Sequence, residues 1–394
     1  MRKLVTIQKI KAIVPIHGAD FLEKATVLGW DVVVKKGQFK VGDPCVYFEI
    51  DSFLPIQPQY EFLRKGCYKN TENLGEGFRL RTIKLRKQIS QGLIMPIEEL
   101  GIYKESDTTW KYTNSIGNQY YIHPELEEDL SEILEVKKYE KPIPASLRGK
   151  MEGNFPSFIR KTDQERVQNI IEKDAEEIYN GHFFEVTLKL HGTSWTGFKI
   201  DNPDHHLDET SPNYKVGVCS RNYELKLDDP SSAYVKFAQE TGILDMIPSG
   251  YAVQGELYGN GIEGNRDKLP DIQLFIFDVW NITEQRYLTP KERHQFYKDN
   301  FVHPRTREDE RKDMSKNSRI HHIPVIEYNY GLGGSEDYGT EYPHPRMNLA
   351  DILLFAEEEK SIHPDTCAEG IVFKRMDGKY SFKVISNKFE LEQE

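Results

Sequence analysis

No run of about 18 apolar residues occurs anywhere in the 394-residue chain, which excludes a transmembrane helix by hydropathy. The opening "MRKLVTIQKIKAIVPIHG" reads as strands and lacks the apolar stretch of a signal peptide, so a soluble, cytoplasmic protein is expected. Cysteine is scarce: Cys45, Cys67, Cys219 and Cys367 stand far apart. That scatter excludes the close pairs of a zinc site and the density of a secreted disulfide scaffold, and the four are read as buried thiols. An excess of basic charge is missing too. Lys and Arg number 52 against 63 Asp and Glu, a net charge of -11. Neutralising phosphates is the electrostatic core of nucleic-acid coating, so a general coating protein is disfavoured, although a local basic groove remains open.

What is present is enough apolar residue, 38% of the chain, for two or three cored domains. Residues 1–110 hold short β-rich segments ("LVTIQKIKAIVPI", "WDVVVKKG", "PCVYFEI", "FRLRTIKLRK", "GLIMPI") punctuated by turn signals. This cadence of about five strands predicts a small OB-like or SH3-like barrel. Within it "RLRTIKLRK" gathers Arg79, Arg81, Lys84, Arg86 and Lys87. They form either an edge strand guarded by charge or a contact strip for RNA. Residues 111–154 read as a connector with an acidic helix near "PELEEDLSEILEV".

Residues 155–394 read as an α+β domain of strands with occasional helices. Thr162 and Glu165 make a capping box for a helix carrying Val167, Ile170, Ile171 and Ile178 on one face, closed by Gly181. Thr289 and Pro290 open another helix, and Leu349, Ile352, Leu353 and Ala356 line a third. The polar "HPRTREDERKDMSKNSR" is expected to be a solvated loop.

In "EVTLKLHGTSWTGFKI" apolar and polar residues alternate on both sides of a polar "HGTS" turn, and Lys189 stands at the lip of that turn. It is either a solvated strand-end charge or a nucleophile. Five further segments set reactive side chains beside strands: Arg221 in "CSRN", Glu256 in "QGELYG", Phe277 and Asp278 in "LFIFDVW", Glu369 and Lys374 in "EGIVFK", and Lys383 in "SFKVISNKF". Each has an ordinary reading, as turn carboxylate, core aromatic or surface cation. Together they suit nucleotide transfer. A lysine amine attacks phosphorus only when neutral, and at an ordinary pKa near 10.4 about one in 2,500 is neutral at pH 7. Neighbouring cations such as Lys374 and Lys383, with a divalent metal on Glu256 and Glu369, are expected to lower that barrier and neutralise phosphates. Phe277 is placed to stack on a purine and Arg221 to bind a phosphate or ribose.

The order of these segments resembles the signature series of the covalent nucleotidyltransferases, which comprise DNA ligases, RNA ligases and capping enzymes. "HGTS" and "FKVISNKF" are most similar to the RNA ligases. "ADFLEKATVLGWDVVVKKGQFKVGD" and "SQGLIMP" resemble the OB domain that precedes the catalytic domain in one branch of them. Only 11 residues follow Lys383, which leaves no room for the trailing OB domain of DNA ligases and capping enzymes.

The resemblance implies an amino-terminal OB-like barrel plus a nucleotidyltransferase domain of antiparallel sheets with flanking helices. It implies Lys189 as the adenylylated residue; Leu188, His191, Gly192, Arg221, Glu256, Phe277, Glu369, Lys374 and Lys383 at the nucleotide; and Glu256 and Glu369 at Mg2+ or Mn2+. The implied cofactor is ATP and the implied partner RNA, or an RNA/DNA hybrid, with 3′-hydroxyl and 5′-phosphate ends, handled by a monomer. Two departures bear on this. Leu188 stands where a base-reading carboxylate is frequent, and Ile385 where a second lysine is frequent, with Lys388 as its stand-in or as an RNA contact. A capping-type guanylyltransferase, a DNA ligase and a non-catalytic nucleic-acid-binding protein are the alternatives.

Overall fold

Alternation in the sequence becomes paired burial in the amino-terminal strands. Trp30, Val32 and Val34 of the strand Trp30–Lys35 face inward, opposite Val27, Ala25 and Glu23 of Leu22–Val27. The computed structural model describes residues 3–106, 108–114, 117–122, 127–139, 149–202, 212–229, 231–302, 319–334 and 345–392. It divides into two units: Met1–Pro142 with Val167–Lys173 and Glu390–Glu394, and Ile143–Arg166 with Asp174–Phe389. Among the described residues no helix is long and apolar enough to cross a membrane.

In the first unit the expected strands are present but more finely divided. "LVTIQKIKAIVPI" splits into Val5–Lys9 and Ala12–Pro15, in different sheets. "FRLRTIKLRK" also splits: Gly75–Arg79 lies in one sheet, while Thr82–Leu85 pairs with Gln88–Gln91 as a hairpin. Arg86 and Lys87, at φ 49° and 68°, form the two-residue turn that a right-twisted hairpin favours. A core of Trp30, Val32, Tyr47 and Ile94 serves one group of strands, and one built on Val5, Ile7, Phe48, Tyr60 and Phe78 serves another.

Two expected helices do not form. In "PELEEDLSEILEV" the described residues make turns, because Glu127 (φ 65°) and Glu135 (φ 57°) are left-handed, which an α-helix does not admit. Leu130, Leu134 and Val136 are buried all the same, and Ser131 Oγ accepts from the Leu4 and Val5 N–H groups at 3.0 and 3.1 Å. The Thr162 capping box also fails. Glu165–Arg166 is a strand parallel to Ser381–Ile385, and Val167–Ile170 and Ala175–Tyr179 are separate short helices. The physical reason is local: Glu165 and Arg166 are extended and paired with Phe382 and Lys383, and Asp174, at φ -104° and ψ 32°, leaves helical backbone between the two short helices.

The second unit holds two sheets. The larger runs in the order Met151–Asn154, Tyr223–Leu225, Tyr214–Cys219, Thr193–Asp201, Tyr251–Tyr258, Gln273–Asn281 and Arg286–Tyr287, with Ile320–His322 added parallel to Gln273–Asn281. The smaller runs Glu165–Arg166, Ser381–Ile385, Gly370–Arg375, Phe183–Lys189 and Val325–Gly331. Helix Pro290–Phe301 starts at the expected Thr289 capping box, and Leu349–Glu358 is capped by Asn348 and buries Ile352 and Ala356. The expected solvated loop lies, apart from Arg319, outside the described residues. Cys45 and Cys219 are buried; Cys67 and Cys367 are only partly buried, a partial correction.

Candidate active site

The strands flanking "HGTS" do not form a hairpin. Phe183–Lys189 belongs to the smaller sheet and Thr193–Asp201 to the larger, so the chain changes sheets between Leu190 and Gly192. Lys189 is therefore the last strand residue before the crossing. It pairs in register with Gly370, where a Cβ would lie 2.0 Å from the Val384 carbonyl oxygen; only glycine fits. That register brings Glu369 alongside, and Lys189 Nζ meets Glu369 Oε1 at 2.6 Å. From the larger sheet comes Glu256, whose Oε1 accepts the Gly192 N–H at 2.8 Å. Gly192 is again pressed against backbone, 2.4 Å from Cβ to the Leu257 carbonyl oxygen. His191 completes the cluster, with Nδ1 3.7 Å from Glu369, Nε2 3.8 Å from Glu263 and its ring edge-on to Phe389.

The charged partner that the structure gives Lys189 is thus a carboxylate rather than the expected Lys374 or Lys383. The two glutamates are driven apart. Burial pulls Glu369 upward, but Lys189 and His191 outweigh it and hold the carboxyl at about 2. Burial raises Glu256 to about 7, with Glu369 adding to the rise and Lys189 opposing it. Glu369 therefore contributes stability that is present above pH 4.5 and lost as pH falls toward 2. Glu256 has the opposite sign: the folded chain holds its proton longer than the unfolded one, so stability falls as pH rises from 4.5 to about 7. Glu256→Gln, which keeps an acceptor for Gly192, is expected to raise the melting temperature by a few degrees above pH 7 and to leave it unchanged below pH 4.5. Equal melting of the two proteins at pH 8 contradicts this assignment.

Phe277 occupies a β-bulge. Gln254 pairs with Asp278 and Gly255 with Ile276, leaving Phe277 as the extra residue. The bulge lets consecutive residues serve the same region: Phe277 packs beside Leu188, Tyr258 and Phe275, while Asp278 pairs with Lys374. Lys374, expected at a phosphate, is buried and donates to Asp278 Oδ1 and, at 2.7 Å, to the Phe277 carbonyl. Burial, aided by Arg293 and opposed by Asp278, brings its ammonium down to about 8.

Behind this pair lies a network with no counterpart among the sequence expectations. Arg293, 0% exposed, donates to Glu185 and, through Nε, to His322 Nε2 at 3.2 Å, with Asp278 Oδ1 4.0 Å from Nη1. His322 accordingly carries its proton on Nδ1, 2.8 Å from the Ile323 carbonyl oxygen, and stays neutral because burial and Arg293 depress it to about 3.

Arg221 and Lys383 converge on one carboxylate, Asp163, at 3.6 and 3.8 Å. Leu188 faces the apolar cluster of Leu190, Tyr258, Phe275 and Ile323, so its side chain offers no polar group to a base. Lys388 is exposed and donates to the Glu357 carbonyl at 3.4 Å. In the first unit Arg79 is engaged by Asp51 at 3.5 Å and lies over the Tyr139 ring at 4.1 Å, whereas Arg81, Lys84, Arg86 and Lys87 are exposed.

A family profile for RNA ligase matches residues 182–385, and a profile for an OB-fold domain matches residues 4–97. No curated protein matches the chain. Among solved structures, a mutant Naegleria gruberi RNA ligase with ATP and Mn is 34% identical, covers 100% of this chain and 99% of that one, and has a TM-score of 0.76. Another mutant of that enzyme, with AMP and Mn, is 35% identical with the same coverage and a TM-score of 0.75. The same ligase with PPi is 34% identical over 99% of this chain and 98% of that one, at a TM-score of 0.75. With an RNA ligase profile over half its length and these identities along the whole of it, the chain belongs to the RNA ligase family.

Proposed function

We propose that this RNA ligase uses ATP to join a 3′-hydroxyl RNA end to a 5′-phosphate end through AMP held on Lys189. The observation that carries the reading is the Lys189–Glu369 pair at 2.6 Å, set where the chain crosses between sheets and beside Glu256. An amine attacks phosphorus only when neutral, so the Lys189 nitrogen gives up a proton to solvent as it reacts. Its nitrogen then forms a bond to the α-phosphorus, and the bond to the bridging oxygen breaks, with pyrophosphate leaving on the electron pair. AMP next passes to the RNA 5′-phosphate, and the 3′-hydroxyl displaces it to close the strand.

Glu256 and Glu369 are hard oxygen donors that suit Mg2+ or Mn2+. An ion held there would neutralise charge on the triphosphate and on the departing pyrophosphate. Phe277 stacks on the base. Arg221 and Lys383 exchange Asp163 for phosphate, and His191 and Gly192 border the nucleotide. Lys374 acts from behind, fixing the Phe277 bulge through Asp278 and the carbonyl it already holds. Arg81, Lys84, Arg86 and Lys87 of the first unit and Lys388 of the second are exposed cations offered to RNA. Work as a monomer accords with a site assembled within one chain, and a cytoplasmic location accords with the scarcity and wide spacing of cysteine.

The test is incubation with α-labelled ATP or GTP and Mg2+ or Mn2+, denaturing electrophoresis, then a chase with RNA bearing both ends. Label from ATP that the RNA removes is expected. Absence of protein-bound label, or label from GTP alone, defeats the reading.

A further inference from the structure

The segment between the two profile matches carries a sheet to which no role has been given. Ile102–Lys104, Trp110–Thr113 and Gln119–Ile122 form three antiparallel strands. One face packs into the first unit's core through Ile102, Tyr112 and Ile122, with Trp110 and Tyr120 partly buried beside them. Because side chains alternate, the opposite face is fixed by register. Tyr103 pairs with Lys111, and Lys111 with Tyr121, making one row across all three strands. Tyr103 is 66% exposed and Tyr121 57%. Lys111 Nζ lies 5.9 Å from the centre of the Tyr121 ring. Thr113 and Gln119, paired with each other, continue the same face with polar groups.

We infer that this row is a docking platform for single-stranded RNA, with bases stacked on Tyr103 and Tyr121 and a backbone phosphate paired to Lys111. Three features select this occupant. The aromatic rings stand on alternate strands, about 10 Å apart at twice the strand spacing, with a cation between them. Bases present π-faces and phosphates present charge, the two chemistries that such a row complements. The polar remainder of the face offers nothing to an apolar peptide or a lipid surface. The inference rests on the reading of the chain as acting on RNA, but it does not depend on the roles given to Lys189 or the glutamates.

The test uses the full chain and a fluorescent single-stranded oligoribonucleotide without a 5′-phosphate, with binding followed by anisotropy at several salt concentrations. Tyr103→Ala and Tyr121→Ala are each expected to weaken binding about tenfold, and Tyr→Phe at either position to restore it, because the ring and not the hydroxyl makes the contact. Lys111→Ala is expected to lower the slope of log affinity against log salt by about one. Transfer of label from ATP to protein, measured in the same preparations, is expected to stay at the parent level and reports folding. If the double alanine variant adenylylates normally and binds the oligoribonucleotide as the parent does, the platform is refuted. It is equally refuted if the loss is the same for duplex RNA, or if the variants change self-association and not RNA binding. Failure of the parent to take label from ATP, with the tyrosine effects intact, rejects the proposed chemistry and leaves the platform standing.

Discussion

Lys189→Ala is expected to abolish label transfer from ATP, and with it the sealing of 5′-phosphate RNA, by at least about four orders of magnitude, the scale of losing a covalent nucleophile. Joining of RNA whose 5′-phosphate already carries AMP is expected to persist at a measurable rate. The asymmetry follows from which bonds each step makes. Capture of AMP needs a nitrogen at Lys189, whereas the last step forms an oxygen–phosphorus bond between RNA ends and requires only that AMP be held and released. Lys189→Arg separates charge from nucleophilicity. Its guanidinium can keep an ion pair with Glu369 but cannot be deprotonated, so it should be as inactive with ATP as the alanine variant. Stability should divide the two variants. Without a cation beside it the buried Glu369 carries an uncompensated charge, so Lys189→Ala should melt below Lys189→Arg at pH 7, and the gap should close as pH falls and the carboxyl takes up its proton. Protein-bound label in either variant contradicts the assignment, as does complete inactivity of Lys189→Ala on pre-adenylylated RNA.

How far the site could be read from the sequence depended on whether a residue acts through its neighbours in the chain or across the fold. Lys189, Glu256 and Glu369 stood within three residues of glycines, and two of those glycines are points of close backbone approach: Gly370 against Val384, Gly192 against Leu257. Short-range pattern and tertiary geometry coincide there. Phe277 was legible as an aromatic in a buried strand, but the bulge that re-aims it and Asp278 is a matter of register with Gln254 and Gly255, which no local pattern encodes. Lys374 is given a phosphate role by the family resemblance alone; the partners the structure shows for it, Asp278 and the Phe277 carbonyl, are nearly a hundred residues away, beyond the reach of local pattern. The acidic stretch near Leu130 was misread as a helix. Its apolar residues have helical spacing, yet they fill a core from turns whose left-handed glutamates no propensity would suggest. Arg293 was invisible, since a lone arginine in "TPKERHQFYKDNF" looks like the solvated side of an amphipathic helix and is instead fully enclosed.

That enclosure makes Arg293→Met the variant with the largest expected loss of stability. Arg293 joins Glu185, on the Lys189 strand, to Asp278, on the Phe277 strand, and none of the three side chains is more than 3% exposed. Methionine preserves much of the volume and removes the charge, leaving two buried carboxylates to share the single ammonium of Lys374. Breaking a buried ion pair from one side costs about 3–5 kcal/mol, because the surviving charge has lost its partner and cannot reach water. A large fall in the urea midpoint is therefore expected, with Glu185→Gln in the same chain recovering much of it, a coupling that a double-mutant cycle measures directly. The network should also act on the nucleotide. Glu185 sits directly across from Lys374 in the strand register, so without Arg293 it competes with Asp278 for that ammonium and loosens the clamp on the Phe277 carbonyl. At a temperature where the variant is folded, the KM for ATP in adenylate formation should rise several-fold while the maximal rate changes less, since the role proposed for Phe277 is to bind the base and not to make bonds. If Arg293→Met unfolds at the parent's urea concentration, or if Glu185→Gln adds to its loss instead of relieving it, the charges are not coupled as their distances indicate.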